Sequence, residues 1–185
     1  MDNISDELIV SQCSPTLAGL KTGNMFSVEF TSKEETIERI RGLNIRLAPY
    51  GICVLPLRFT EKRVLVYMYS PERLCADLEQ PQVRELLSSF GYDLSSAGGC
   101  IARLRRRMGE GGEFPHEVGL FLGYPAEDVR GFIENRAADC KCVGFWKVYG
   151  DVDAAKMKFE SFEKCTRDNC GRLRRGCSIE QLISQ

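Results

Sequence analysis

The stretch Phe114-Pro115-His116-Glu117-Val118-Gly119-Leu120-Phe121-Leu122-Gly123-Tyr124-Pro125 is punctuated by two prolines and two glycines, which leaves its backbone few choices. Pro115 suits the first position of a helix, where its missing N–H is no loss and its φ is already helical. Gly123 suits the left-handed residue just past a helix end, and Pro125 can begin another helix. The spacing predicts helix 115–122, a break at 123–124 and helix 125–135. His116, Gly119 and Gly123 then fall along one stripe at i, i+3 and i+7. Two of those positions have no side chain. The imidazole, the only one in 185 residues, therefore stands beside a notch open to a ligand or to another backbone.

Elsewhere the chain alternates short helical and strand patterns. Asn3 can cap a helix over 4–12, and Ser14 before Pro15 reads as the start of a second short helix over 15–20. Cys13 would then lie just outside a helix N-terminus, where unpaired amides favour a thiolate. Met25–Phe30 alternates apolar and polar residues like a half-buried strand. Ser32 and Glu35 form a capping box for a helix whose stripe is Ile37, Ile40, Asn44 and Leu47. Strands at 52–59 and 63–69 are joined by Thr60-Glu61-Lys62 as a hairpin, with Pro56 directing its strand to an edge or a bulge. Pro71 and Pro81 open helices, and Ser95 or Ser96 caps a third with Arg103, Arg105, Arg106 and Arg107 on its outer face. A flexible joint follows at Gly109–Gly112. Val143–Tyr149 reads as a strand, and Asp153 as the cap of a last long helix bearing Ala155, Phe159, Phe162 and Thr166. The pattern predicts an α+β fold: a small, largely antiparallel sheet of about four strands (25–30, 52–59, 63–69, 143–149) with about seven helices. Residues 1–168 are expected to form one domain, and 169–185 a polar, mobile tail with a short helix near 179–183.

Composition narrows the function classes. Lys and Arg number 25 against 26 Asp and Glu, so the chain is no general polyanion binder. Its arginine clusters lack the interleaved aromatics of a nucleic-acid surface, and no apolar run is long enough for a membrane helix. Neither the phosphate-binding G-x-x-x-x-G-K-S/T loop nor G-x-G-x-x-G is present around Gly98-Gly99. Nine scattered cysteines read as reduced thiols in a cytoplasmic protein. Cys140-x-Cys142 and Cys165-x4-Cys170-x6-Cys177 miss the spacing of structural zinc, and no metal site is expected.

Candidate site residues come from two distant segments. Cys13 would act as nucleophile, His116 as its base, and Lys21 or helix amides as the anion stabiliser. Thr16, Gly19, Glu117, Gly119, Tyr124 and Trp146 would bind the ligand, with Tyr124, Trp146 and Tyr149 able to wall a planar molecule. His116 and Glu117 are neighbours on the chain and cannot pair with each other. The expectation is a cytosolic small-molecule-binding domain, with a thiol-dependent hydrolase or transferase as its enzymatic form. Two alternatives stand beside it: a non-catalytic binder of haem or flavin, and a protein-interaction module. Cys13 as a buried filler and His116 as a structural polar group remain the plain readings of both residues.

Three blocks together resemble a known family: Cys13-Ser14-Pro15-Thr16-Leu17-Ala18-Gly19-Leu20-Lys21, Phe114 to Pro125 with Glu127-Asp128-Val129-Arg130-Gly131-Phe132-Ile133, and Gly144-Phe145-Trp146-Lys147-Val148-Tyr149-Gly150. The likeness is to the bacterial domain-of-unknown-function family 3793, met mainly in anaerobic Firmicutes, and it covers about residues 8–166. It implies a cytoplasmic single-domain protein and a family site near Cys13, Lys21, His116, Glu117 and Tyr124. It implies no reaction.

Overall fold

Three of the strand-like stretches pair into one sheet. In the computed structural model, which describes residues 4–109 and 114–183, β1 (Gly23–Glu29), β2 (Cys53–Phe59) and β3 (Arg63–Tyr69) make an antiparallel sheet in the order β1-β3-β2. β3 is central, which explains its burial on both faces: Val64, Val66, Tyr67 and Met68 are all fully buried. β2 lies at an edge, and its register shifts between Pro56 and Arg58. Pro56 lacks the N–H that a ladder needs, and it sits on an edge strand and at a bulge, two of the places where a strand proline is tolerated.

Around this sheet lie α1 (Asp6–Leu17) and α2 (Lys33–Leu47). The Ser32 Oγ accepts the Glu35 N–H at 3.2 Å, as the capping pattern requires. Asn44 uses its whole amide on Val54 of β2, donating to the carbonyl at 2.7 Å and accepting the N–H at 2.8 Å. Ile9, Leu17, Ile40, Leu47 and the inward residues of the strands make one apolar core.

Contacts divide the chain into two compact units, Met1–Glu72 with Phe162–Gln185, and Arg73–Ser161. The second unit is built from most of α3 (Pro71–Leu78), then α4 (Pro81–Ser89), α5 (Ala97–Gly109), the short α6 (Val118–Phe121), α7 (Ala126–Glu134) and the ribbon of β4 (Cys142–Val143) with β5 (Lys147–Val148). The long α8 (Val152–Arg174) contributes its first ten residues to this unit and the rest to the other. The protein is thus α+β, with two small antiparallel sheets among eight helices in the described residues.

Several local expectations change. The strand expected at 143–149 is a ribbon, because Gly144-Phe145-Trp146 turns the chain and Gly144 N–H donates to the Trp146 carbonyl at 3.0 Å. The two helices expected around Cys13 are one: Pro15 lies inside α1 and Ser5 caps it, accepting the Leu8 N–H at 3.2 Å. Pro15 forfeits a helical hydrogen bond there, but Cys13 through Leu17 are all buried, and that packing outweighs it. Asp151, not Asp153, caps α8 through the Ala154 N–H at 3.0 Å. Past Asn169, where a polar tail is expected, α8 continues to Arg174, and a turn of 3-10 helix at Glu180–Leu182 returns Ile179, Leu182 and Ile183 to the apolar core. Arg46 fixes that return by pairing with Glu180 at 2.7 Å and Asp6 at 2.9 Å. The Asn3 cap, and the glycine joint beyond Gly109, lie outside the described residues.

Candidate functional site

The second unit holds a cavity of about 310 Å³. Phe114, His116, Val118 and Gly119 form one wall, Tyr124, Asp128, Val129 and Phe132 another, and Val143, Gly144, Trp146 and Lys147 of the ribbon the third. The segment carrying His116 is tighter than the expected helix 115–122. Val118, Gly119 and Leu120 bond back three residues to Pro115, His116 and Glu117, and only 118–121 is α-helical. Gly123 closes it at φ 76°, the left-handed position foreseen for it.

Of the notch expected from His116, Gly119 and Gly123, only His116 and Gly119 line this cavity; Gly123 lies elsewhere, and the bare face of Gly119 is covered. A Cβ on Gly119 would stand 2.8 Å from Val129 Cγ2 and 3.0 Å from Tyr124 Cδ2, so the bare backbone lets those two side chains close over it. The Tyr124 ring lies 4.8 Å from that of Trp146, tilted by 31°, and Trp146 in turn meets Phe159 edge-on at 4.6 Å and 77°. His116 packs 5.0 Å from the Phe132 ring.

These walls are pinned by a buried carboxylate. Asp128 is 3% exposed and accepts three hydrogen bonds, from Trp146 Nε1 at 2.7 Å, the Tyr149 N–H at 2.7 Å and the Gly150 N–H at 2.8 Å. It thereby ties α7 to the ribbon and sets the plane of the indole. Lys147 donates to the Ala137 carbonyl at 2.6 Å and lies 6.0 Å from the Phe132 ring centre. The ribbon side of the cavity is therefore held from both ends.

A second depression, about 520 Å³, opens beside the first and shares Phe114, His116 and Phe132 with it. Its other walls include Phe90, Arg107, Glu117 and Arg136. Glu117 is 1% exposed and accepts from Arg107 Nε at 2.5 Å and from the Tyr92 hydroxyl at 2.9 Å. Burial, with the Glu117 charge next in size, pushes the Tyr92 hydroxyl well above the ordinary phenol range, so it remains a donor.

A family model for proteins of unknown function, DUF3793, matches residues 9–183. The chain belongs to that family. No curated protein and no solved structure matches it. For a DUF3793 member the match runs past the 8–166 likeness and takes in the C-terminal segment, in keeping with the place of Ile179 and Leu182 in the core.

The cavity brings together four of the expected residues, His116, Gly119, Tyr124 and Trp146, and Glu117 lines the adjoining depression. Cys13, Thr16, Gly19 and Lys21 belong to the other unit. Thr16 is fully buried and its hydroxyl bonds the Asn24 side-chain oxygen at 2.8 Å; Gly19 makes a left-handed turn at φ 66°. Cys13 sits in the body of α1, not ahead of a helix N-terminus, so no free amides face its sulfur. Burial pushes its thiol up to about 12, against a smaller opposing pull from Lys21, and burial brings Lys21 down to about 8. The thiolate expected at Cys13 is thus disfavoured. Iodoacetamide at pH 8 should alkylate the exposed Cys75 and leave Cys13 intact, as peptide mass spectrometry would show; comparable rates at the two would contradict this assignment.

Asp128, Val129, Phe132, Val143 and Lys147 were not singled out from the sequence as site residues, nor were Arg107 and Arg136. Val129 and Phe132 stand three apart on α7, a stripe that reads equally as core. Arg107 belonged to an arginine run read as a solvated face; Arg105 and Arg106 are exposed as expected, but Arg107 turns in to Glu117. Among the described residues no group of three or more His, Cys, Asp or Glu is placed to hold a metal ion, and no helix is long and apolar enough to cross a membrane.

Proposed function

We propose that this chain binds a small planar molecule in the cavity between His116, Tyr124, Phe132 and Trp146, without chemistry at Cys13. The observation that carries the reading is a ligand-sized space with aromatic walls whose indole is oriented by a buried carboxylate. Pockets that bind small molecules are concave, mostly apolar and carry a few placed polar groups, and about 310 Å³ lies at the small end of their range. That size suits one or two fused rings better than a whole dinucleotide. The hydrolase or transferase form needs an activated thiol, and the protonated Cys13 argues against it. We place the chain in the cytoplasm with its nine cysteines kept as thiols, the state that scattered, unclustered cysteines suit.

Trp146 is the only tryptophan in the chain and lines the cavity, so its emission reports directly on occupancy. Titration with 4-nitrobenzamide, a neutral planar quencher, should reduce that emission saturably. Only a linear, collisional decrease would refute the reading.

A further inference from the structure

We infer that the ligand carries an anionic group, such as the carboxylate of an aromatic acid, and that Arg136 receives it in the depression adjoining the aromatic cavity. The inference rests on the binding reading above and names the ligand class. The two depressions share Phe114, His116 and Phe132 in their walls and are therefore neighbours, and the inference places the ring against Trp146 and its charged substituent in the second space. There the cations are Arg107 and Arg136. Arg107 already holds the Glu117 carboxylate, whereas among the described residues the Arg136 guanidinium has no hydrogen bond or ion pair. A guanidinium fork matches a carboxylate with two parallel hydrogen bonds.

The backbone supplies an independent argument. Arg136 occupies the left-handed position at the end of α7, at φ 49°, with the Ala137 N–H bonding back to the Phe132 carbonyl at 2.9 Å. The same closing bond follows α4 (Tyr92 to Leu87), α6 (Tyr124 to Gly119) and α8 (Cys177 to Arg172), and there glycine fills the left-handed place: Gly91, Gly123 and Gly176. Only glycine adopts that conformation without steric cost. Arginine in the same motif retains the strain, and it does so on the rim of the depression. Ala137 (φ 64°) and Asp139 (φ 55°) are left-handed as well, so the strain belongs to the whole turn after α7, of which Arg136 and Ala137 line the depression.

The test compares 4-nitrobenzoate with 4-nitrobenzamide, both read through Trp146 quenching, in the wild type and in Arg136→Gln and Arg136→Gly. The wild type should bind the acid about tenfold more tightly than the amide, in line with a charge-assisted bidentate contact. Both variants should bind the two probes equally and keep the wild-type affinity for the amide. Arg136→Gly should also melt about 2–4 °C higher, because it removes the strain. Equal affinities in the wild type, or an acid preference that survives Arg136→Gln, would overturn the inference while leaving the cavity reading intact. Absence of saturable quenching by either probe would bring down both.

Discussion

Asp128→Ala is expected to destabilise the protein by about 3–4 kcal/mol, measured by urea unfolding followed through Trp146 emission. Truncation leaves three donors without their acceptor: the indole N–H and the backbone N–H groups of Tyr149 and Gly150. Each is in or next to a buried setting, and an unmet buried donor costs about 1–3 kcal/mol. Asp128→Asn should lose less, because its one carbonyl oxygen can still accept from the paired amides. It should nevertheless release the indole, and with it the fixed plane of the cavity wall. A loss below about 1 kcal/mol for the alanine variant would mean that Asp128 does not hold the ribbon to α7.

Glu117→Ala has the second largest expected effect. It leaves Arg107 as a half-buried cation and Tyr92 as a buried hydroxyl, both without the acceptor they share. Loss of this largely buried ion pair together with the Tyr92 hydrogen bond costs about 3 kcal/mol. At about 2–4 °C per kcal/mol for a chain of this length, the melting temperature should fall by roughly 6–12 °C. Glu117→Gln keeps an acceptor for Tyr92 and should recover part of the loss. Equal melting of the alanine variant and the wild type would show that the carboxylate is dispensable to the fold.

The fold was legible where short-range chemistry decides it. Ser32 and Glu35 cap α2, Thr60-Glu61-Lys62 turns a hairpin, and Pro56 marks an edge strand with a bulge, all from rules that act within a few residues. Local rules failed where packing between distant residues wins. Pro15 has the signature of a helix start yet sits inside α1, because its neighbours are buried on every side that matters. Arg172, Arg174 and Gly176 look like a loose tail, but Ile179 and Leu182 beyond them find a core assembled mainly from the first 70 residues. The candidate site divides the same way. Gly123 could be placed by spacing alone as the left-handed end of its turn, but His116 was expected on a helix and stands in a tighter turn ahead of it. Asp128 could not: in the first turn of a helix it reads as a complement to the helix dipole, and its partners lie 18 to 22 residues further on. The pairing of Cys13 with His116 joined two strong local signals by assumption, and burial of the sulfur removes the chemistry that made the pairing attractive.

Whether the aromatic cavity takes a ligand is decided by side-by-side titration of the wild type and Val143→Phe with 4-nitrobenzamide. Val143 is 67% exposed at the cavity wall, so a larger ring there narrows the entrance with little demand on the core. Saturable quenching of Trp146 in the wild type, weakened at least about tenfold in the variant at unchanged melting temperature, is the predicted result. Identical quenching curves for the two proteins would place the probe elsewhere and contradict the claim.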